Sequence, residues 1–170
     1  PAHPIAGTEK SGVTASFDSL FENRCTIVTP TDVSSTSAIN KVTRLWQAMG
    51  ANVVSMTPEH HDQVLAATSH LPHILAFSLV DTLAHMQAHS EIFRFSAGGF
   101  RDFTRIASSD PGMWRDICLH NKSAILSVLK HFEQQIKILE CAISEQDGAK
   151  IEKIFTHAKS ARDTHIEPGS

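Results

Sequence analysis

Apolar residues along the chain fall into two regimes. Up to about residue 57 they come in short runs. Cys25-Thr26-Ile27-Val28 and Asn52-Val53-Val54-Ser55-Met56 are β-prone and are ended by Pro30 and Pro58. Between them Ile39, Val42, Leu45, Trp46 and Met49 recur at three- and four-residue spacing. That spacing predicts a helix that Ser34 or Ser35 can cap and Gly50 can close. Strand, helix and strand within about thirty residues make a βαβ unit with parallel strands. Two strands are a poor sheet by themselves, so the unit reads as the last piece of a larger α/β sheet. Residues 1–24, rich in Gly, Ser and Thr, read as an extended loop with one helical turn near Phe17 to Phe21.

From Glu59 the period is helical. Val64, Ala67, Leu71, Ile74, Leu75, Leu79, Leu83 and Met86 form one long stripe over residues 59–88, with Pro72 inside it as an expected kink. Ala97-Gly98-Gly99 breaks the pattern, and a short helix is expected from Arg101 to Ala107. Ser109-Asp110-Pro111 joins a capping side chain to a proline suited to a first turn. It predicts a helix from Pro111 to about Ile143, with Ile125, Val128, Phe132, Ile136, Leu139 and Ile143 on one face. A last helix, Asp147 to Thr164, is expected to bury Ile151, Ile154, Phe155 and Ala158. The pattern thus predicts a mainly α fold: a βαβ remnant of a larger α/β domain over 1–57, a helical domain over 58–166 and a tail over 167–170. The long stripe offers more apolar surface than one short helix can cover, which favours a two-fold dimer.

Composition narrows the function. The formal net charge of −3 argues against a nucleic-acid binder. No apolar run is expected to be long enough to span a bilayer, since polar groups interrupt every candidate, and the first residues lack the basic-then-apolar order of a signal peptide; with the scattered cysteines this gives the expectation of a reducing cytoplasm and no membrane partner. The chain starts without Met, as an excised piece would. Three cysteines, Cys25, Cys118 and Cys141, are far apart and form no CxxC pair, so no disulfide framework or zinc site is expected. Eleven histidines are more than usual, but most such residues are solvated. His85 and His89 read as solvated, His60 and His61 carry no assignment, and Trp46 reads as core. His70 and His73 share a helix face, yet no third or fourth ligand is forced near them, so no metal is expected.

Four strings in order carry a resemblance. They are His3-Pro4-Ile5-Ala6-Gly7-Thr8-Glu9-Lys10-Ser11-Gly12, Ser69-His70-Leu71-Pro72-His73, Gly98-Gly99-Phe100-Arg101-Asp102-Phe103-Thr104-Arg105-Ile106-Ala107, and Ser109-Asp110-Pro111 with Trp114. Together they resemble the prephenate/arogenate dehydrogenase family of tyrosine biosynthesis, from His3 to about Asn121. The resemblance implies a Rossmann domain for NAD or NADP and a helical domain that completes the substrate site and makes the homodimer through the long helices. It also implies roles for single residues. His3 would be the catalytic base. His73, Arg105, Trp114, Gly98 and Thr8 would bind substrate, Trp114 by reaching the partner subunit's site. Ser69 and His70 would face the cofactor, and Glu9 and Asp102 would gate the pocket or orient Arg105. Arg101 competes with Arg105 as the carboxylate clamp, and Gly98 and Gly99 would allow close backbone approach or positive φ.

The chain departs from the family plan in one respect: it holds no GxGxxG loop. The isolated chain is therefore expected to bind no dinucleotide and to bind a substrate-like anion (prephenate, arogenate or tyrosine) without turnover. The alternatives are a non-catalytic helical dimerisation or tyrosine-binding regulatory module, and another dehydrogenase with a similar helical domain.

Overall fold

The computed structural model describes residues 1–6, 12–87 and 89–165. They fall into two compact units, Pro1–Leu126 and Ser127–Ser170. The fold is mainly α with a small sheet near the amino end, as the pattern predicts.

The sheet has three strands, β1 (Ala2–Pro4), β2 (Cys25–Val28) and β3 (Asn52–Ser55), in the order β1-β2-β3. β2 and β3 are parallel, Cys25 opposite Asn52, with α1 (Thr36–Ala48) between them in sequence. Ser35 caps α1 by accepting from the Ala38 N–H at 3.2 Å. β1 corrects the expectation of a plain loop. It runs antiparallel to β2, with His3 opposite Ile27. Hydrogen bonds from Ile5 N–H to Cys25 and from Thr29 N–H to Pro1, at 2.7 and 3.1 Å, extend the pairing. Three residues that include a proline carry no readable period; the pairing is imposed by β2, whose Thr26, Ile27 and Val28 are buried. The helical turn expected at Phe17 to Phe21 lies earlier, at Val13–Ala15, and hydrogen-bonded turns follow through Arg24.

Gly50 ends α1 with φ +84°, and a Cβ there would sit 3.2 Å from the Glu22 Cα, so both conformation and space require glycine. Trp46, expected in the core, is only half-buried and meets Phe21 edge-on at 5.1 Å.

α2 (Pro58–Leu65) is capped by Thr57, whose hydroxyl accepts from His60 N–H at 3.2 Å. It continues through a π-helical turn, Ala66–His70, into α3 (Leu71–Ala84). The expected interruption at Pro72 is this wide turn. Pro72 has no N–H for the Thr68 carbonyl and its ring crowds that carbonyl. The Leu71 N–H bonds instead to Ala66, five residues back, and the chain gains one residue without breaking the helix. The continuous 27-residue helix Pro58–Ala84 has an 18-residue window of mean hydropathy 1.2, long and apolar enough to cross a membrane by length and composition alone, and 17% of that window is buried. Polar His70 and His73 lie within it.

Beyond α3 come α4 (His89–Arg94), which the pattern did not predict, and α5 (Gly98–Thr104) with a 3-10 turn at Arg105–Ser108. Gly98 and Gly99 start α5 without the positive φ expected as one use of glycine there, and a Cβ on either would meet no described atom of this chain within 4 Å. The single helix expected from Pro111 is two, α6 (Pro111–His120) and α7 (Lys122–Ser144), divided at Asn121. Asp110 caps α6 by accepting from Met113 N–H at 2.7 Å.

In the second unit the rest of α7 is followed by α8 (Gly148–His165). The apolar face of α7 is covered unevenly: Ile125 is buried, Val128, Phe132 and Leu139 are half-buried, and Ile136 and Ile143 are 46% and 58% exposed. On α8 the expected burial is not found: Phe155 is 56% exposed, Ala158 is exposed, and Ile151 and Ile154 are half-buried.

Candidate functional site

The first unit holds a cavity of about 820 Å³, the size of a small-molecule site. Its wall brings together four of the residues singled out by sequence, Ser69, His73, Arg105 and Trp114, from three separate segments. Ser69 comes from the π-turn, His73 from the first turn of α3, Arg105 from the 3-10 turn after α5, and Trp114 from α6. The extra residue of the π-turn sets the rotation at which Ser69 and His73 leave the helix. Ile5 and Ala6, just past β1, line the same cavity, as do Glu22 and Arg24, which sequence reasoning passed over.

The aromatic wall is well defined. The His73 and Trp114 rings stack, with centroids 3.7 Å apart and planes at 19°. His73 is anchored by its Nδ1–H, which donates to the Ser69 carbonyl at 2.9 Å and leaves Nε2 as the ring's acceptor when neutral. Trp114 was expected to reach the partner's site; here it is buried and lines the cavity of its own chain. Its Nε1–H has no hydrogen-bond partner among the described residues.

Beside this wall is a cluster of imidazoles. The His70 ring meets Trp114 edge-on at 6.1 Å. Asn121 holds it. The amide nitrogen of Asn121 faces the Asp62 carbonyl at 2.8 Å, and a carbonyl only accepts, so the remaining amide hydrogen points at His70 Nδ1, 3.2 Å away. Neutral His70 therefore carries its proton on Nε2. His3 lies outside the cavity wall, two residues from Ile5 in it. Its Nδ1 is 2.8 Å from His61 Nε2, and His61 Nδ1 is 2.9 Å from the Asp62 carboxylate. His3 is exposed as a residue, with its imidazole partly buried. Burial first, and the neighbouring His61 second, lower its pKa from the ordinary 6.5. The His70 pKa is lowered as well, chiefly by burial.

His61, Asp62 and Asn121 are thus site residues that sequence reasoning missed. Asp62 stands seven residues before Ser69, two helical turns, which is the one local signal that pointed there. The other expectations divide. Gly98 and Asp102 are not in the cavity wall, and among the described residues Asp102 makes no ion pair with Arg105. Arg101 is exposed and also outside the wall. Thr8 and Glu9 lie outside the described residues. Among the described residues no group of three or more His, Cys, Asp and Glu side chains is arranged for a metal ion. The β2–α1 connection begins Thr29-Pro30-Thr31-Asp32 and holds no glycine, so it cannot lay backbone N–H groups along a diphosphate. These residues do not form a dinucleotide cradle.

Two family models match the chain. "Prephenate dehydrogenase, nucleotide-binding domain" covers residues 1–55 and "Prephenate dehydrogenase, dimerization domain" covers residues 57–157. The chain is 43% identical over 164 residues to the cyclohexadienyl dehydrogenase of Zymomonas mobilis, covering 95% of this chain and 56% of that protein. It is 43% identical over 166 residues to the prephenate dehydrogenase of Bacillus subtilis, covering 95% and 44%. The chain thus spans about half the length of these relatives. Among solved structures, prephenate dehydrogenase from Aquifex aeolicus, in complex with hydroxyphenyl propionate and NAD+, superposes with a TM-score of 0.90 at 43% identity, covering 96% of this chain and 57% of that one. The arogenate dehydrogenase of Synechocystis superposes at 0.84 with 25% identity, covering 97% and 60%.

Proposed function

We propose, since the chain belongs to the prephenate dehydrogenase family, that its cavity is the substrate half-site of an NAD(P)-dependent dehydrogenase acting on prephenate or arogenate. The observation that carries this is the convergence of Ser69, His73, Arg105 and Trp114 on one cavity of about 820 Å³. The stacked His73–Trp114 pair supplies a flat wall for a six-membered ring, and Arg105 a guanidinium for a carboxylate. In the oxidative decarboxylation, carbon dioxide leaves C1, a hydride leaves C4 and the C4 hydroxyl loses its proton as the ring becomes aromatic. A nicotinamide dinucleotide, when bound, would take the hydride. His3 accepts the hydroxyl proton as the hydride departs and returns it to the phenolic oxygen once carbon dioxide has left. Ser69 and His70 form the side of the site toward the cofactor. Thr8 and Glu9 keep the substrate-contact and gating roles that the family resemblance implies, and Gly98 and Asp102, outside the wall of this cavity, would take theirs across the dimer boundary.

The same reading gives the uncovered helices a partner. Ile136 and Ile143 on α7 and Phe155 on α8 are large apolar side chains left in solvent by the chain itself. A second copy packed on them makes a homodimer, and covering the exposed half of each side chain contributes about 1 kcal/mol.

The test is turnover by the full-length protein that contains these residues. Given prephenate or arogenate with NAD+ or NADP+, it should form reduced nicotinamide and release carbon dioxide in equal amounts. A folded, dinucleotide-binding protein that turns over neither substrate would overturn the proposal.

A further inference from the structure

We propose that His61 and Asp62 are positioning residues that hold His3 in the tautomer whose Nε2 lone pair is free to take the ring-hydroxyl proton. The inference rests on the reading of His3 as the base of the proposed reaction.

An ionised Asp62 only accepts, so the 2.9 Å contact places a proton on His61 Nδ1. In neutral His61 the other nitrogen, Nε2, is then an acceptor. His3 Nδ1 lies 2.8 Å from it and must be the donor. With its proton on Nδ1, neutral His3 has its lone pair on Nε2, the ring nitrogen turned away from His61. When the ring hydroxyl gives up its proton, the new N–H bond forms there, while the hydride leaves with its electron pair for the nicotinamide. His3 becomes an imidazolium whose Nδ1–H still points at His61, so the relay stabilises the charge without moving a second proton. The opposite tautomer of His3 would present an N–H to the hydroxyl and could not act as the base.

The relay is fixed in place by more than its own bonds. His61 is only 18% exposed. Its backbone N–H bonds to Thr57, the cap of α2, at 3.0 Å. The Asp62 carbonyl is clamped by Asn121 at 2.8 Å, which ties this turn of α2 to the α6–α7 junction. The Asp62 carboxylate is 53% exposed, so solvent weakens its charge effect, and its main contribution is the direction of the hydrogen bonds rather than strength. The lowered pKa of His3 agrees with a ring that works in its neutral form.

Nitrogen-15 spectra of the imidazoles in this chain read the tautomers directly. His3 and His61 should both carry their protons on Nδ1, with His70, held by Asn121, as the Nε2–H contrast. In His61→Ala, His3 should move toward the Nε2–H form that free imidazole side chains prefer. An Nε2–H tautomer for His3 in the parent chain, or no change in His61→Ala, would sink the relay. In the full-length protein His61→Ala should lower kcat about tenfold to a hundredfold and move KM less than about threefold. A parent protein with no turnover would count against the proposed function and leave the tautomers to decide the relay. An active parent with unchanged kcat in His61→Ala would refute the relay alone.

Discussion

Replacing Arg105 by Ala should raise KM for the substrate about tenfold to a hundredfold and leave kcat within a few fold. A charge-assisted hydrogen bond to a carboxylate contributes about 1.5–3 kcal/mol, which converts to that range. Arg105 is exposed on the 3-10 turn after α5, so its guanidinium is partly hydrated and the lower half of the range is expected. The interaction forms with the ground state and persists to the transition state, because the bound carboxylate is not the group being lost, so KM takes the effect. Arg101 is the control: it lies outside the cavity wall, and Arg101→Ala should change KM less than about threefold. Arg24 shares the cavity with Arg105 and is the competitor that the structure adds. Steady-state kinetics of the three variants decide among them. An unchanged KM in Arg105→Ala, with a large rise in Arg24→Ala, would move the clamp to the amino end of β2.

His3→Asn should show the complementary effect, a kcat lower by about 10²–10⁴ with KM nearly unchanged, the usual worth of a positioned general base. The pH dependence follows from the direction of the shift. Burial, and then His61, lower the His3 pKa below 6.5, so at neutral pH the ring is unprotonated and ready to accept. As pH falls through that depressed pKa, the proton occupies the base of the free enzyme and kcat/KM declines. The acid limb of the kcat/KM profile should therefore lie below 6.5, and it should vanish in His3→Asn. The charged and titratable groups around the ring are His61, Asp62 and His70. A retained acid limb in His3→Asn would assign the titration to one of those groups instead.

The folding pattern was legible where it was local. The spacing from Ile39 to Met49, the cap at Ser35 and the turn at Gly50 come from neighbours within a few residues, and α1 follows them. β1 was not legible, because Ala2–Pro4 is a strand only through the register with β2. That register also brings His3 to His61 across 58 residues of sequence, so the imidazole relay is a product of tertiary pairing. Asn121 looked like one more position in a long helix, and its two hydrogen bonds to α2 and His70 appear only once α6 and α7 separate there. Conversely, Gly98 and Gly99 promised backbone freedom that α5 does not use. The apolar stripes of α7 and α8 were readable as stripes, but Ile136, Ile143 and Phe155 find no cover within the chain. Periodicity names the face that needs cover and is silent about which chain supplies it.

The most direct measurement uses the two tryptophans, Trp46 and Trp114, the only ones in the chain. Their indole N–H resonances can be followed while prephenate is added to the folded chain. The account predicts a saturable shift of Trp114, stacked on His73 in the cavity wall, with Trp46 unmoved beside Phe21. A Trp114 resonance that stays fixed at millimolar ligand, or a shift confined to Trp46, would contradict it.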